Sequence, residues 1–249
     1  MLNHKSGNVE YTLQSQHAYE FDSKGFAKIG KICDNCIGQM IDLVSQKDQP
    51  KFEFIDLDPL LFTEMWSDRQ FLQMLRLFCG DWVRYDGHFG VTIPGVNNNI
   101  HGGPGSHQQS TWYIKQNGRI ITTNLKVGIS LSESDEFGYL PGSHKSLDIQ
   151  EGKAANPGKY VDAELLERPL LTVGDLFIFT DALLHGTLGQ TPRQTLYYTF
   201  TPGFVCLHKH SKPNWYDQIP KDRQRLVREA GVAYPDQSNR AIIKEVERI

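Results

Sequence analysis

Hydrophobic periodicity divides the chain into a helical front and a strand-rich middle. Residues 1 to 20 are polar with little periodicity and predict an irregular lead-in, followed by a turn and short strand over Phe21 to Ile29. From Ile32 to Val44 apolar residues recur at helical spacing (Ile32, Ile37, Met40, Ile41, Val44). Asp58-Pro59 is a helix start, with Leu61, Phe62, Met65 and Trp66 as the inner face. A further helix spans about Asp68 to Phe78 and stops at Gly80. From Trp82 the pattern changes to strands: Val83 to Ile93, Trp112 to Ile114, Ile120 to Leu131, Leu170 to Thr180 and Gln194 to Phe200, separated by Gly, Pro and Asn clusters. Such a run predicts an all-β sandwich or barrel with helices covering one face. The polar interval Ser143 to Glu167 reads as an insertion loop at the barrel mouth. Beyond Pro202 the chain turns polar, with an amphipathic stretch from Lys221 to Glu229 and a charged tail from Ala241 to Ile249.

The last two strands organise the rest. Asp175-Leu-Phe-Ile-Phe-Thr180 and Thr195-Leu-Tyr-Tyr-Thr-Phe200 are joined by a polar connection broken by Gly186, Gly189 and Pro192. His185 is expected at the end of the first strand, and Arg193 lies just before the second.

A chain of 249 residues accommodates one sizeable β domain, and this length is not evidence for two. The expected division is a mostly helical lead-in over 1–80, a β core over 81–206 and a C-terminal extension over 207–249. Lys+Arg of 26 against Asp+Glu of 29 leaves a net charge of −3, which argues against nucleic-acid binding through a basic field and for small-molecule partners. No apolar run approaches a membrane span and no secretory h-region opens the chain, so a cytoplasmic location is expected. Of four cysteines only Cys33 and Cys36 are close, and with no second CxxC they read as thiols in a reducing compartment.

A non-haem iron(II) oxygenase needs two imidazoles and a carboxylate on one face, leaving positions for 2-oxoglutarate and dioxygen. Among nine histidines His185 is the strongest candidate, because a strand leads to it and Gly186 follows. Its partner is sought early in the barrel, where Asn97-Asn-Asn-Ile-His101-Gly-Gly-Pro-Gly-Ser-His107 is the suitable place: glycines beside His101 let backbone and ligands approach closely. Arg193 can grip the distal carboxylate of 2-oxoglutarate with a fixed fork of donors, and Thr195, two positions on along the same face, can add a hydrogen bond. Each has a structural alternative: a hydrogen-bonded strand-end histidine, a surface arginine.

Ile100-His-Gly-Gly, Asn117-Gly-Arg, Leu140-Pro-Gly-Ser-His-Lys145 and Gly174-Asp-Leu-Phe-Ile-Phe-Thr-Asp-Ala-Leu-Leu-His-Gly-Thr-Leu188, with Arg193 and Thr201-Pro-Gly203, together resemble the phytanoyl-CoA dioxygenase superfamily over roughly residues 20 to 230. The resemblance implies a double-stranded β-helix (jelly-roll, cupin-like) core and an iron(II)/2-oxoglutarate-dependent dioxygenase using O2. It places His101 and His185 on the iron ligands and Arg193 on the 2-oxoglutarate anchor. His144, in the PGSHK turn, matches a feature that is not a ligand and is expected to be structural or near the mouth.

One position departs from the pattern. The family carries His-x-Asp at the first histidine, whereas this chain has His101-Gly102-Gly103. Three explanations stand side by side. Iron halogenases of related fold have glycine or alanine there so that a halide can bind. Alternatively, a carboxylate arrives from elsewhere: in a hairpin about Pro94-Gly95, Asp86 falls opposite Gly103. Or the iron keeps two protein ligands and a water. His107 is a competing ligand, better read with Gln108 and Gln109 as pocket lining. Trp112 and Tyr113 read as pocket wall or as ordinary strand aromatics, and Asn124 and Lys126 as inward-facing contacts. The expected reaction is hydroxylation of a small polar natural product, with C–N cleavage where the carbon adjoins nitrogen. The breadth of the family extends to mycosporine-like amino acids converted to palythines. A non-catalytic jelly-roll binding module is the reading from another class.

Overall fold

A computed structural model describes residues 2–5, 9–13, 15–32, 34–45, 69–80, 83–93, 100–102, 113–116, 119–122, 124–145, 161–188, 193–202 and 217. Eleven strands and three helices lie among them: β1 Leu2–Lys5, β2 Val9–Leu13, α1 Ser15–Lys24, β3 Phe26–Ile32, α2 Asp34–Ser45, α3 Arg69–Cys79, β4 Val83–Ile93, β5 Tyr113–Gln116, β6 Arg119–Thr122, β7 Leu125–Ser130, β8 Phe137–Tyr139, β9 Asp175–Thr180, β10 His185–Thr187 and β11 Arg193–Pro202. The chain is mainly β, and the pairs with a resolved register are antiparallel.

The chain forms two compact units, of which the first comprises Met1–Phe52, Phe89–Ser110 and Lys126–Tyr197. The main sheet has the order β1-β2-β3-β9-β7-β11-β4, so the strand expected near residue 26 is an interior strand of the sheet rather than part of a lead-in. Residues 1 to 20, read as irregular, instead supply β1, β2 and most of α1. Their polar sequence hides this because β1 and β2 are held by main-chain pairing, Leu2 opposite Leu13 and Val9 opposite Ile32, which needs no apolar pattern. Between Lys28 and Gly30 the β3–β9 register slips by a bulge, so β3 pairs Phe26 with Phe179 at one end and Lys31 with Asp175 at the other.

Every residue of β7 and β9 is buried, so both faces of these strands are covered and their sequences run apolar instead of alternating. The inner side is aromatic: Phe26, Phe137, Tyr139, Phe177, Phe179 and Tyr197 form one core cluster with Leu171 and Leu183. Phe26 stacks on Tyr139 with centroids 4.6 Å apart, and Phe137 meets Phe179 at 5.3 Å. Truncating such a buried ring costs about 3–5 kcal/mol.

A second, two-stranded sheet pairs β10 with β8. The stretch read as one strand running to His185 is therefore two: β9 ends at Thr180, a turn over 181–184 follows, and β10 belongs to the other sheet. The turn residues Ala182, Leu183 and Leu184 are fully buried, which is why the apolar run continued past the strand end. The ends of the loop expected over 143–167 are tied down as well. Ser143–Lys145 forms a 3-10 turn, Glu167 bridges to Tyr139, and the Glu167 carboxylate takes the Tyr139 hydroxyl at 2.6 Å and Lys24 at 3.0 Å.

The second unit comprises Glu53–His88, Thr111–Leu125 and Tyr198–Ile249. Within it α3 packs on β6, and β5 and β6 form a hairpin with Tyr113 opposite Thr122. The strand expected over Ile120 to Leu131 is two, β6 ending at Thr122 and β7 beginning at Leu125, and the Thr122 hydroxyl receives the main-chain N–H of Asn124 at 3.3 Å. The Cys79 thiol at the end of α3 is buried and approaches the Phe200 carbonyl at 3.9 Å. The helix expected at 58–66, the amphipathic stretch 221–229 and the tail 241–249 lie outside the described residues. Among the described residues no helix is long and apolar enough to cross a membrane.

Candidate active site

β10 is flanked on one side by β8 and on the other by the segment carrying His101. His101 and His185 are paired directly, each donating its main-chain N–H to the other's carbonyl at 2.8 and 2.9 Å. Residues directly opposite in an antiparallel pair project to one face, so this pairing alone puts both imidazoles on the same side. Their ring centroids are 4.3 Å apart. The alternation continues around them. His185, Thr187, Phe137 and Tyr139 occupy the inner face, while Ile100, Leu184, Leu188 and Leu140 form an apolar cluster with Leu166 and Val161 behind the ribbon.

Gly102 makes the close approach possible. Its φ is +93°, a left-handed conformation that side chains disfavour, and a Cβ there would overlap the Leu183 carbonyl oxygen and come within 3.1 Å of the His185 ring. The glycine beside the first histidine is thus a backbone requirement.

His185 is buried, and its Nδ1 lies 2.7 Å from the Leu183 carbonyl. A carbonyl can only accept, so Nδ1 carries the proton and Nε2 keeps its lone pair. Burial, and after it the charge of His101, pushes His185 down to about 3; Asp181 and the Leu183 bond act in the opposite sense. The imidazole is neutral at physiological pH, the form that binds a metal. His101 is exposed on the same face.

Arg193 opens β11 and is 5% exposed. Its Nη2 donates to the Thr187 hydroxyl at 2.7 Å and its Nη1 to the Tyr197 hydroxyl at 2.9 Å, while Nε has no hydrogen-bond partner among the described residues. The guanidinium also lies 6.0 Å from the ring centroids of Phe137 and Tyr197. Among the described residues its polar partners are hydroxyls, not carboxylates, so a buried positive charge is held in place without a counterion. That is a cradle for an anion. Phe137 links the two ends of the site, since its ring is 6.1 Å from that of His185 and faces Arg193. Thr195 is buried two positions along β11 from Arg193, on the same strand face.

The structure thus brings together His101 and His185, and separately fixes Arg193 with Thr195 on β11. Thr187 and Tyr197 were missed by sequence reading. The signal was period two: Thr187 follows His185 by two positions, and Tyr197 follows Arg193 by four. Lys126, weighed as an inward contact, is buried and pairs with Asp181 at 3.3 Å. Asn124 is buried too. Among the described residues no cluster of three or more His, Cys, Asp and Glu side chains has metal-binding geometry. Asp86 lies on β4, and Gly103, its expected opposite, falls outside the described residues with His107, Trp112 and Cys33; Cys36 lies on α2. His144 packs in the 3-10 turn with Nε2 3.0 Å from the Asp22 carbonyl, a structural placement.

No protein-family model matches the chain, and no curated protein matches it by sequence. Solved structures do. HygX from Streptomyces hygroscopicus, with nickel and 2-oxoglutarate bound, is 20% identical with a TM-score of 0.64, over 78% of this chain and 89% of that one. HygX has also been solved with iron, and with nickel, 2-oxoglutarate and hygromycin B together. EvdO2 from Micromonospora carbonacea var. aurantiaca is 15% identical with a TM-score of 0.56, over 78% and 92% of the two chains. AviO1 from Streptomyces viridochromogenes Tue57 is 13% identical with a TM-score of 0.55, over 76% and 96%. At such identities the likeness is one of fold, and it covers most of each chain.

Proposed function

We propose that the chain is a non-haem iron(II)/2-oxoglutarate-dependent dioxygenase on a double-stranded β-helix core, of the phytanoyl-CoA dioxygenase type. The observation that carries this is the main-chain pairing of His101 with His185, which sets two imidazoles side by side on the face that also holds a buried Arg193 whose polar partners among the described residues are hydroxyls. The metal and 2-oxoglutarate bound in HygX structures, and the 2-oxoglutarate bound in EvdO2, support it from a shared fold.

The residues present fit both groups. His185 offers Nε2 because Nδ1 is engaged, and His101 stands beside it. Arg193, braced by Thr187 and Tyr197, receives the distal carboxylate of 2-oxoglutarate, and Thr195 adds a hydroxyl on the same strand face. Phe137, Phe179 and Tyr197 exclude water between the two ends. Iron(II) with bound 2-oxoglutarate supplies dioxygen-dependent oxidation of a substrate C–H bond, the keto acid leaving as succinate and carbon dioxide. The substrate on this reading is a small polar natural product, a class to which the hygromycin B bound in HygX belongs. The narrower proposal, a mycosporine-like amino acid, rests on the superfamily resemblance.

Anaerobic titration of the protein with iron(II) and 2-oxoglutarate, with and without chloride, tests the reading. A visible metal-to-ligand charge-transfer band that ignores chloride is the expected result. A band that shifts or tightens with chloride favours the halogenase reading, which glycine at position 103 motivates. No band from folded protein means a non-catalytic binding module.

A further inference from the structure

The segment Leu140-Pro-Gly-Ser-His-Lys145 has no part in holding iron or 2-oxoglutarate on the reading above, yet its hydrogen bonds end at the residue before His185. Leu184 is fully buried, and both of its main-chain groups are taken by this segment. Its N–H donates to the buried Ser143 hydroxyl at 2.9 Å, and its carbonyl receives the Leu140 N–H at 2.9 Å. The turn that carries Ser143 is itself anchored. Gly142, with φ +77°, donates its N–H to the Lys24 carbonyl at 3.0 Å, and His144 Nε2 lies 3.0 Å from the Asp22 carbonyl. Both acceptors belong to the last turn of α1.

The two bonds at Leu184 act on different parts of His185. The Leu184 carbonyl shares a peptide unit with the His185 N–H, which donates to His101, so that unit is fixed from both sides and sets where the histidine starts. The Leu184 N–H shares a peptide unit with the Leu183 carbonyl, which accepts from His185 Nδ1 at 2.7 Å. A trans peptide unit is planar and points its N–H and its C=O in opposite directions, so holding one aims the other. Ser143 holds the N–H, and the carbonyl is thereby aimed at the imidazole. Without the hydroxyl the plane turns about its two flanking torsions, or else a buried N–H stays unpaired in the one orientation the ring needs. A ring that loses its carbonyl acceptor is no longer bound to keep its proton on Nδ1, and the other nitrogen is the one a metal has to use.

We propose that Ser143 is a positioning residue for His185: its hydroxyl orients the Leu183–Leu184 peptide unit, whose carbonyl holds the imidazole with the proton on Nδ1 and leaves Nε2 to a metal. The inference rests on the metal-binding reading above and goes beyond it by giving the 140–145 turn a part in the site. Gly142 and His144 dock the turn on α1, and Ser143 reaches from it to the ligand's own hydrogen-bond acceptor. A hydrogen bond that merely stabilises the fold predicts something else: its loss lowers the thermal midpoint and leaves the ring as it was.

The test compares the full wild-type chain with Ser143→Ala by imidazole nitrogen NMR of the metal-free protein, calorimetric titration with nickel(II) and thermal midpoints, with His185→Gln used to identify the His185 signals. Expected in wild type is a His185 ring protonated on Nδ1, its proton slow to exchange. Ser143→Ala should show faster exchange of that proton, a share of rings protonated on Nε2, and nickel binding about tenfold weaker. A lower thermal midpoint with ring signals and nickel binding as in wild type overturns the inference, as does weaker binding with unchanged ring signals. Should Ser143→Ala fail to fold, the wild type decides. A proton on Nδ1 together with a Leu184 amide protected from hydrogen exchange supports the inference, and a ring protonated on Nε2 or an unprotected Leu184 amide overturns it. A wild-type chain that binds no nickel overturns the metal reading, and this inference with it. A wild type that binds, with Ser143→Ala unaffected, overturns this inference alone.

Discussion

At the imidazole end of the site, position is set by main chain. His101 and His185 are locked by reciprocal N–H to carbonyl bonds, and Gly102 permits the contact by adopting φ +93°. At the guanidinium end, position is set by side chains. Arg193 lies on a long, fully formed strand, and two hydroxyls, Thr187 and Tyr197, aim its fork. The difference bears on tolerance. A site held by backbone geometry fails when a small residue gains a single carbon, whereas a site held by side-chain hydrogen bonds loses function in steps and can keep its fold. The two ends should therefore respond to substitution in different currencies, folding plus metal affinity at one and 2-oxoglutarate affinity alone at the other.

The largest effect is expected from Gly102→Ala. The new Cβ overlaps the Leu183 carbonyl and imposes a left-handed conformation costing about 1 kcal/mol or more before any displacement of the histidines. Nickel(II) affinity should fall about a hundredfold or more, with a lower thermal midpoint. Unchanged affinity would show that the main-chain pairing does not set the imidazoles.

Next comes Arg193→Met, expected to weaken 2-oxoglutarate binding to the metal-loaded protein about a hundredfold while leaving metal affinity as it was. Its thermal midpoint should hold or rise, because a buried charge with no carboxylate partner among the described residues has been removed. Thr187→Val, which removes one brace, should weaken 2-oxoglutarate binding in the same direction by about tenfold. A marked fall in stability with Arg193→Met would mean that the guanidinium is a structural element and the comparison is wrong.

The smallest effect lies away from both ends. Burial holds the His144 imidazole below its ordinary value of 6.5, outweighing the Asp22 carbonyl bond, so below that pH the folded chain binds fewer protons than the unfolded one. Stability contributed by the neutral ring is present above pH 6.5 and is lost as pH falls below it, by at most about 1.4 kcal/mol per pH unit. Urea midpoints from pH 7 to 5 should fall less steeply for His144→Gln than for wild type.

The sequence by itself marked the strand-rich core and the candidate residues His101, His185, Arg193 and Thr195, because these rest on local pattern. Period-two and apolar runs mark β4, β9 and β11; glycines flank His101; an arginine precedes a β-branched strand. Helix α3 was legible from its apolar spacing and the stop at Gly80. Tertiary structure decided the rest, for reasons that leave no local trace. β1 and β2 are held by main-chain bonds to each other and to β3, so their polar sequence reads as irregular. The turn over 181–184 is buried by the core, so its apolar residues masquerade as a continuing strand, and only the topology shows that His185 belongs to the second sheet. The pairing of His101 with His185 and the burial of Asp181 with Lys126 join residues far apart in the chain, and Thr187 on β10 meets Arg193 on β11. Spacing along a sequence specifies which chemistry is available; which side chains face one another is specified by the register of strands that meet only in the folded protein.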